Sequence, residues 1–196
     1  SVSNVSFDED GSGSTSLSAA DVDGDDLTFS VTGGTLITAT LDGSDVTFSA
    51  PDNYNGSEEF SVSVTDGNLA DSQSFSVTVN AVNDAPVANA ASATTSEDQS
   101  VVVTLSGSDI DGDNLSFSLD SDATNGSVTL NGALATYTPD ANFNGSDSFT
   151  FSVSDGEATA SADVSLTVNA VNDAPVLASV SNVSFDEDGS GSTSLS

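Results

Sequence analysis

Three aspartates alternate with other residues in a short turn, and this turn occurs twice in the chain. The first copy, DVDGD, spans residues 21–25, and the second, DIDGD, spans residues 109–113. Carboxylates at two-residue spacing can converge on one point where the backbone turns tightly, and Ca²⁺ prefers hard oxygen ligands of this kind. Glycine stands at the fourth position of each turn rather than the sixth, so neither is an EF-hand loop. The pattern predicts calcium-binding turns with Asp21, Asp23, Asp109 and Asp111 as ligands, against the alternative that these residues only cap turns.

The composition leaves these carboxylates without any cationic partner. The chain has 196 residues, 31 of them Asp or Glu and none of them Lys, Arg or His, which gives a formal net charge of −31. A compact chain with that charge repels itself, and divalent cations are the obvious means of neutralising it. Nucleic acid and anionic membrane surfaces are excluded as partners, because both are bound through Lys and Arg.

The same composition argues against catalysis. Without His, Cys or Lys, most arrangements of a nucleophile and a base are missing. A pair of carboxylates could still hydrolyse a glycoside. The acidic residues recur in both halves of the chain, however, and an enzyme rarely duplicates its active site in every repeat. We therefore expect no enzymatic activity.

Internal repeats divide the chain. The stretch VNAVNDAPV occupies residues 79–87 and again 168–176, 89 positions later, and residues 179–196 are identical to residues 1–18. Two diverged units and the start of a third are predicted: residues 1–84, 85–173 and 174–196, the last contributing the first strands of a third repeat. The simplest account is one 178-residue period of a longer repetitive chain. Separate subunits joined by strand donation are the alternative.

Apolar residues alternate with Ser, Thr and Asp in short segments that end at Gly, Asn and Asp, a pattern typical of a β-sandwich. Residues 1–17 are expected to form two short edge strands separated by the Gly-Ser-Gly sequence at 11–13. Further strands are predicted at residues 27–31, 36–41, 46–49, 59–64 and 74–79, and in the second unit at 101–105, 115–119, 128–130, 134–138, 148–153 and 164–168.

The order of motifs in each unit resembles that of cadherin repeats: a Glu, then Asp-x-Asp, then Asp-Gly after a strand, then Asn-Asp-Ala-Pro. The chain is more closely similar to the bacterial cadherin-like and Ig-like tandem repeats of giant calcium-dependent surface adhesins, the extender repeats of RTX-type adhesins. The resemblance implies an all-β fold of tandem Greek-key β-sandwich domains arranged end to end.

In cadherins calcium lies at domain junctions, and the resemblance implies three sets of ligands here. One junction would use Glu9, Asn83, Asp84, Asp109, Asp111 and Asp155; the next would use Glu97, Asn172 and Asp173; and Asp21, Asp23 and Asp66 would serve the junction before the first unit. The linker has Ala81 and Ala170 where cadherins have an acidic residue. For Asn53 and Asn142 a role in turns is favoured over a role as ligands.

These observations predict a structural extender segment of a long extracellular adhesin, surface fibre or matrix filament, with Ca²⁺ making its junctions rigid. Extracellular calcium is abundant enough to keep weak sites filled. The expected partners are further copies of the same repeat, in one long chain or a filament, and other cells or matrix. The alternative is a calcium-dependent module that binds carbohydrate or protein.

Overall fold

The computed structural model describes residues 2–179 and 182–192. Its regular elements are sixteen β-strands in two consecutive groups, and this described part contains no helix. We call strands β1–β7 the first unit, strands β8–β16 the second unit, and residues 81–86 between them the linker. Residues 174–179 and 182–192 contain no strand, and the predicted unit limits, including the third repeat, stay a prediction.

Two sheets face each other in the first unit. Their strand orders are β1-β7-β6-β3 and β2-β5-β4, and every pair is antiparallel except β1 with β7, which is parallel. The seven strands are β1 Val5–Asp8, β2 Ser12–Ser16, β3 Thr28–Gly33, β4 Thr38–Asp42, β5 Asp45–Ser49, β6 Gly56–Thr65 and β7 Ala70–Asn80.

The second unit repeats this plan and adds one short ribbon. Its sheets have the orders β12-β15-β16-β9 and β10-β14-β13, and β8 pairs separately with β11. Its strands are β8 Val87–Asn89, β9 Ala91–Ser96, β10 Val101–Thr104, β11 Ser106–Ser108, β12 Ser116–Ser121, β13 Gly126–Asn131, β14 Leu134–Pro139, β15 Gly145–Ser154 and β16 Thr159–Asn169. The all-β tandem sandwich predicted from the sequence is confirmed.

Each unit buries its own apolar core between its two sheets. In the first unit three phenylalanines meet, and the rings of Phe48 and Phe60 lie 5.2 Å apart, edge to face, an arrangement that aromatic rings favour. In the second unit Tyr137, Phe149 and Phe151 are fully or almost fully buried. As predicted, the apolar residues that alternate along the strands lie on one face of each sheet and pack in a core.

Most strands extend beyond the predicted limits, and strands β8, β9 and β11 were not predicted. Two of the differences have a clear physical cause. Gly13 was expected to separate two strands, but it lies inside β2, because a methyl group there would stand 2.6 Å from the ring of Phe7. Strand β4 begins at Thr38 rather than at residue 36, because the backbone amides of the preceding residues donate to a carboxylate instead of to a neighbouring strand.

That carboxylate belongs to Glu58, which accepts hydrogen bonds from the backbone amides of Thr35, Leu36 and Ile37 at 2.8, 3.1 and 2.9 Å. The Thr35 amide is the main cause that holds the pKa of Glu58 below its ordinary value, and it outweighs the opposing effect of burial. The charged form of Glu58 thus stabilises the fold.

The second unit has an equivalent carboxylate 89 positions later, at Asp147. It accepts hydrogen bonds from the amides of Thr124, Asn125 and Ser148 and from the hydroxyl of Tyr137. Burial raises the pKa of Asp147, but these hydrogen bonds together lower it further, so the net pKa lies below the ordinary value. Both units therefore fasten a loop to a strand with a carboxylate that needs no cation.

We predict that Glu58→Gln lowers the free energy of unfolding at neutral pH by about 1–2 kcal/mol, less than the ~1.5–3 kcal/mol of hydrogen bonds to a buried charged group because Glu58 is only half-buried. Because folding lowers the pKa of Glu58, its contribution is complete above the ordinary pKa of 4.5 and disappears as the pH falls from there through the lowered value. Chemical denaturation across this pH range measures it.

The matched control is Glu59→Gln, which removes the same charge from the exposed side of the same strand. It should lower the free energy of unfolding less, since in the described part of the chain Glu59 accepts only from the Ser76 hydroxyl. Equal losses for the two variants at neutral pH would show that the amide contacts of Glu58 contribute nothing.

Candidate metal centre between the two units

The linker is hydrogen-bonded to acidic side chains of both units. The amide of Val82 donates to Oε1 of Glu9 in the first unit at 2.6 Å. The amide of Asp84 donates to Oδ2 of Asp111 in the second unit at 2.8 Å. Between them, the side-chain amide of Asn83 donates to Oδ2 of Asp155 at 3.0 Å. Carboxylates from the two units thus converge on three consecutive linker residues.

Three carboxylate oxygens in this region are buried and have no hydrogen-bond partner among residues 2–179 and 182–192: Oε2 of Glu9, Oδ2 of Asp84 and Oδ2 of Asp109. They come from the first unit, the linker and the second unit. Glu9 is only 6 % exposed. A buried acceptor without a partner costs about 1–3 kcal/mol, and more when it is charged. Such oxygens are rare in folded proteins unless an ion or water completes them.

Backbone hydrogen bonds within the acidic turn of the second unit hold its carboxylates close together. Oδ1 of Asp109 accepts hydrogen bonds from the amides of Asp111 and Asp113 at 2.9 and 3.2 Å. Gly112 has φ of +81°, a conformation that glycine adopts without strain. One carboxylate oxygen from each of these three aspartates lies within 4.8 Å of the others. Asp113 was not among the predicted ligands.

The raised pKa of Asp84 reflects the close spacing of the carboxylates around the linker. Burial raises the pKa of Asp84, and the negative charges of Asp111, Asp10, Glu9 and Asp109 raise it further, in that order. The reference pKa of an aspartate is 3.8. Since no cationic side chain exists, nothing within the protein offsets this repulsion. We call Glu9, Asp10, Asp84, Asp109 and Asp111 the interunit cluster.

Asp155 behaves in the opposite way. Its pKa is lowered, chiefly by the hydrogen bond from Asn83 and then by the amides of Ala158 and Glu157, which donate to its Oδ1 at 2.7 Å. It is therefore ionised more readily than an ordinary aspartate. Its position beside Asn83 agrees with the place that the resemblance gives it, next to the linker.

Asp10, like Asp113, lies in this region but was not among the ligands predicted from the sequence. Its Oδ1 accepts from the amide of Asn53 at 3.0 Å, and both residues have left-handed backbones, with φ of +60° and +56°. Asn53, Asp84 and Asp109 line one cleft of about 400 Å³. A signal was present in the sequence, because the pair Glu-Asp occurs at residues 9–10 and again at 97–98.

The second set of predicted ligands is assembled only in part. Glu97 is 6 % exposed; it accepts from the amide of Val171 through Oε1 and from the side chain of Asn144 through Oε2 at 3.4 Å. The side-chain amide of Asn172 donates to the carbonyl of Asp173 at 3.1 Å, as Asn83 does to Asp84. Asn172 and Asp173 are exposed, and the described residues bring no acidic turn to them.

The third set of predicted ligands, Asp21, Asp23 and Asp66, is also incomplete: it has an acidic turn, but no linker reaches it within the described residues. Oδ1 of Asp21 accepts from three amides of its own turn, including that of Asp23 at 2.8 Å. Oδ1 of Asp66 accepts from the amides of Leu69 and Asn68, which lower its pKa, the Leu69 amide more strongly. Asp21 and Asp66 line one depression, but within residues 2–179 and 182–192 no linker reaches it.

The interunit cluster fits Ca²⁺. Its donors are oxygens of carboxylates and amides, which suit a hard cation, whereas Zn²⁺ in proteins favours nitrogen and sulfur. Glu9, Asp84, Asp109 and Asp111, with Asn83 and Asp155 beside them, are the residues that would hold the ion. The ion would supply the positive charge that the chain lacks and complete the unpartnered oxygens of Glu9, Asp84 and Asp109.

Fold and site together define a class: tandem Ig-like β-sandwiches with an acidic cluster at the boundary between them. The family model for the bacterial Ig domain matches residues 1–80 and 83–167. The chain therefore belongs to the bacterial Ig domain family, whose members are typically extracellular or surface domains without enzymatic activity. Among curated proteins, none is similar enough in sequence to count as a relative.

Solved structures with a similar fold include cadherins. A crystal structure of human protocadherin-24 EC1-2 is 18 % identical, with a TM-score of 0.55 over 87 % of this chain and 94 % of that one. Protocadherin gamma B7 extracellular cadherin domains 1–4 give 12 % identity and a TM-score of 0.53 over 87 % and 49 %. The endo-fucoidan hydrolase MfFcnA4 from glycoside hydrolase family 107 gives 23 % and 0.39, and the chain spans 28 % of its length.

No helix in the described part of the chain has the length and apolar character needed to cross a bilayer.

We predict that Asp84→Asn has opposite effects with and without calcium. In chelator it should raise the melting temperature at neutral pH, because it removes a charge that burial and the neighbouring carboxylates disfavour. In calcium it should lower the melting temperature, because a carboxylate ligand is lost. The gain in chelator should shrink as the pH falls through the raised pKa toward 3.8, where Asp84 of the parent protein becomes protonated.

Asp173→Asn is the matched control, since it makes the same change at the equivalent place in the next linker, where the side chain is exposed. Thermal melting should find it neutral in both conditions. A loss of stability for Asp84→Asn in chelator and calcium alike would show that Asp84 has only a structural role.

Proposed function

We propose that this chain is an extender segment of a long extracellular adhesin, surface fibre or matrix filament of the kind built from RTX-type adhesin repeats. Its task is to separate functional parts by a defined distance. Bound Ca²⁺ at the interunit cluster makes the boundary between consecutive repeats rigid.

The observation that carries this proposal is the origin of the three unpartnered oxygens. Glu9 belongs to the first unit, Asp84 to the linker and Asp109 to the second unit. An ion coordinated by all three would connect both units through the linker. Any bending at the linker would then have to break coordination bonds, so the ion restricts the relative motion of the units.

Without the ion, repulsion among the carboxylates of the interunit cluster would oppose a fixed arrangement of the two units. Glu9, Asp10 and Asp84 on one side and Asp109 and Asp111 on the other carry like charges, which repel at close range. Separation of the units would relieve that repulsion. The boundary is thus expected to change from flexible to rigid as calcium binds, and calcium-rich surroundings outside the cell would keep it rigid.

The similarity of the two units supports a spacer over a binding module. Both have the same acidic turn, the same loop-fastening carboxylate and the same linker motif. A module that binds carbohydrate or protein would be expected to have a distinct surface in one unit. The partners of this segment are then further copies of the repeat, and the adhesion ligand would be bound elsewhere.

Small-angle X-ray scattering tests the proposal. In calcium we expect one extended particle with a narrow distribution of maximum dimensions, and in chelator a shorter or broader distribution. The double variant Asp109→Ala with Asp111→Ala should give the chelator profile even in calcium, because it removes the acidic turn from the site. At a calcium concentration 100 times the Kd, binding adds about 2.7 kcal/mol to stability, and the variant should lose this gain.

The control is Asp140→Ala with Asp163→Ala, which removes two exposed carboxylates from the same unit outside the cluster and should keep the calcium response. An identical scattering profile of the parent protein with calcium and with chelator would contradict the proposal, whatever the variants do.

A further inference from the structure

Four asparagines of the chain are followed directly by glycine: Asn55, Asn125, Asn131 and Asn144. In such a pair the backbone nitrogen of the glycine can attack the side-chain amide of the asparagine, because glycine has no side chain to hinder the approach. The attack also requires both residues to leave their backbone hydrogen bonds, so local stability determines which pair can react in the folded protein. The structure holds the four pairs in different ways.

Three of the four pairs are held by the strands that they begin. Gly56, Gly126 and Gly145 are the first residues of β6, β13 and β15, and each faces a partner on the neighbouring strand. The strand would have to open at its first pair before the glycine nitrogen could reach the asparagine side chain. Such opening is infrequent where a strand is packed on a core.

Two of these asparagines have further contacts. The backbone amide of Asn125 donates to Oδ2 of Asp147 at 2.9 Å, and its carbonyl accepts from the hydroxyl of Tyr137 at 3.2 Å. The side-chain amide of Asn144 donates to Oε2 of Glu97 at 3.4 Å. Attack on either asparagine therefore requires the loss of these hydrogen bonds as well.

Asn131 lies instead at the tip of the hairpin between β13 and β14. It forms the last pair of the ladder with Leu134, so Gly132 and Ala133 make a two-residue turn outside the ladder. Asn131 and Gly132 are both exposed. Apart from the chain neighbours of Gly132, no described atom lies within 4 Å of the position that a methyl group there would take. Only the terminal pair of a hairpin has to open for Gly132 to reach Asn131, and such pairs open most readily.

The first unit has an aspartate at the equivalent place. Asp42 stands 89 positions before Asn131 and is followed by Gly43. It closes the hairpin between β4 and β5 as Asn131 closes its own. The two glycines have nearly the same backbone conformation, with φ of +61° for Gly43 and +60° for Gly132. A carboxylate at this position is therefore compatible with the turn.

We infer that Asn131 is a modification site, at which spontaneous deamidation in the folded protein converts asparagine to aspartate and isoaspartate. The side chains of Asn55, Asn125 and Asn144 react much more slowly, because the fold restrains their glycine neighbours. The other reactant is water.

The reaction has two steps. First, the backbone nitrogen of Gly132 forms a bond to Cγ of Asn131, and the bond from Cγ to the side-chain nitrogen breaks. That nitrogen leaves as ammonia with the proton that Gly132 gives up, and a cyclic succinimide remains. One water molecule then opens the ring. Cleavage between Cγ and the ring nitrogen gives aspartate, whereas cleavage between the backbone carbonyl carbon and that nitrogen gives isoaspartate. Nothing is oxidised or reduced.

The two products differ in their effect on the hairpin. Both add one negative charge to a chain whose formal net charge is already −31. Aspartate leaves the backbone unchanged and reproduces the turn of the first unit. Isoaspartate lengthens the backbone by one carbon atom between Asn131 and Gly132, which disturbs the closing pair with Leu134. Because β13 is an edge strand of its sheet, the disturbance stays at the end of the hairpin. Ammonia is lost to the solvent, so the acidic form accumulates as the protein ages.

Peptide mapping by mass spectrometry tests the inference. The full-length chain is incubated at mildly alkaline pH in water enriched in heavy oxygen and then digested with chymotrypsin, since trypsin finds no Lys or Arg. We expect the peptide with Asn131 to convert at least about tenfold faster than the other three, because only its terminal pair has to open. Each converted side chain should carry one labelled oxygen. The rate should rise with pH, because the attacking nitrogen must first lose its proton.

The denatured chain is the first control. In concentrated urea all four asparagines are followed by an unrestrained glycine, so their rates should become similar. This comparison separates the influence of the fold from that of the local sequence.

Three variants complete the test. Asn131→Gln should prevent the early acidic species that ion-exchange chromatography resolves from the parent protein, because glutamine cyclises much more slowly. Asn55→Gln makes the same change at another exposed Asn-Gly pair and should leave that species unchanged. Asn131→Asp should melt at the same temperature as the parent protein, since the first unit forms the same turn with Asp42.

The inference is overturned if Asn55, Asn125 or Asn144 converts as fast as Asn131 in the folded protein. It is equally overturned if Asn131→Gln accumulates the acidic species at the rate of the parent protein. Retention of the Asn131 amide in the folded protein, over a period in which the denatured chain converts completely, would also reject it. None of these outcomes depends on calcium, so the proposed function is tested separately.

Discussion

The complete lack of cationic side chains is the constraint on which the rest of this structure depends. A carboxylate that leaves water must be satisfied by an amide, by a hydroxyl or by something that the chain itself cannot supply. Glu58 and Asp147 take the first solution and accept hydrogen bonds from several backbone amides. Amides and hydroxyls satisfy the carboxylates of Glu9, Asp84 and Asp109 only in part. Among the described residues, each of the three retains a buried oxygen without a hydrogen-bond partner.

These two treatments divide the acidic residues by position. Within a unit, carboxylates fasten loops to strands, and their pKa values fall, as at Glu58 and Asp147. At the boundary the carboxylates face one another, and the pKa of Asp84 rises. The interior of each unit is thus stable without an external cation, whereas the boundary is not electrostatically complete. The same carboxylate group thus fastens loops within a unit and forms an acidic cluster at the boundary, because its surroundings differ between the two places.

Much of the fold could be predicted because the apolar alternation and the repeats are local signals. The alternation placed the central strands, and the repeats showed that two similar units follow one another. What could not be predicted depended on contacts between distant residues. Gly13 belongs to a strand because Phe7 packs over it, and β4 starts late because Glu58 takes the preceding amides. The repeated Glu-Asp pair could mark Asp10 as a candidate, but its place in the site depends on a contact with the distant loop that contains Asn53.

Each unit pairs a strand near its start, β1 or β9, in parallel with its last strand, β7 or β16, and this pairing has a mechanical consequence. In the first unit β1 and β7 run side by side in four paired positions, and in the second β9 and β16 do so in six. Tension applied to the two ends of a unit pulls these neighbouring strands in opposite directions along their length. The hydrogen bonds between them are then loaded together in shear, instead of opening one after another as in a hairpin. In the proposed fibre this arrangement would resist stretching, and the unit with the shorter pairing is expected to yield first.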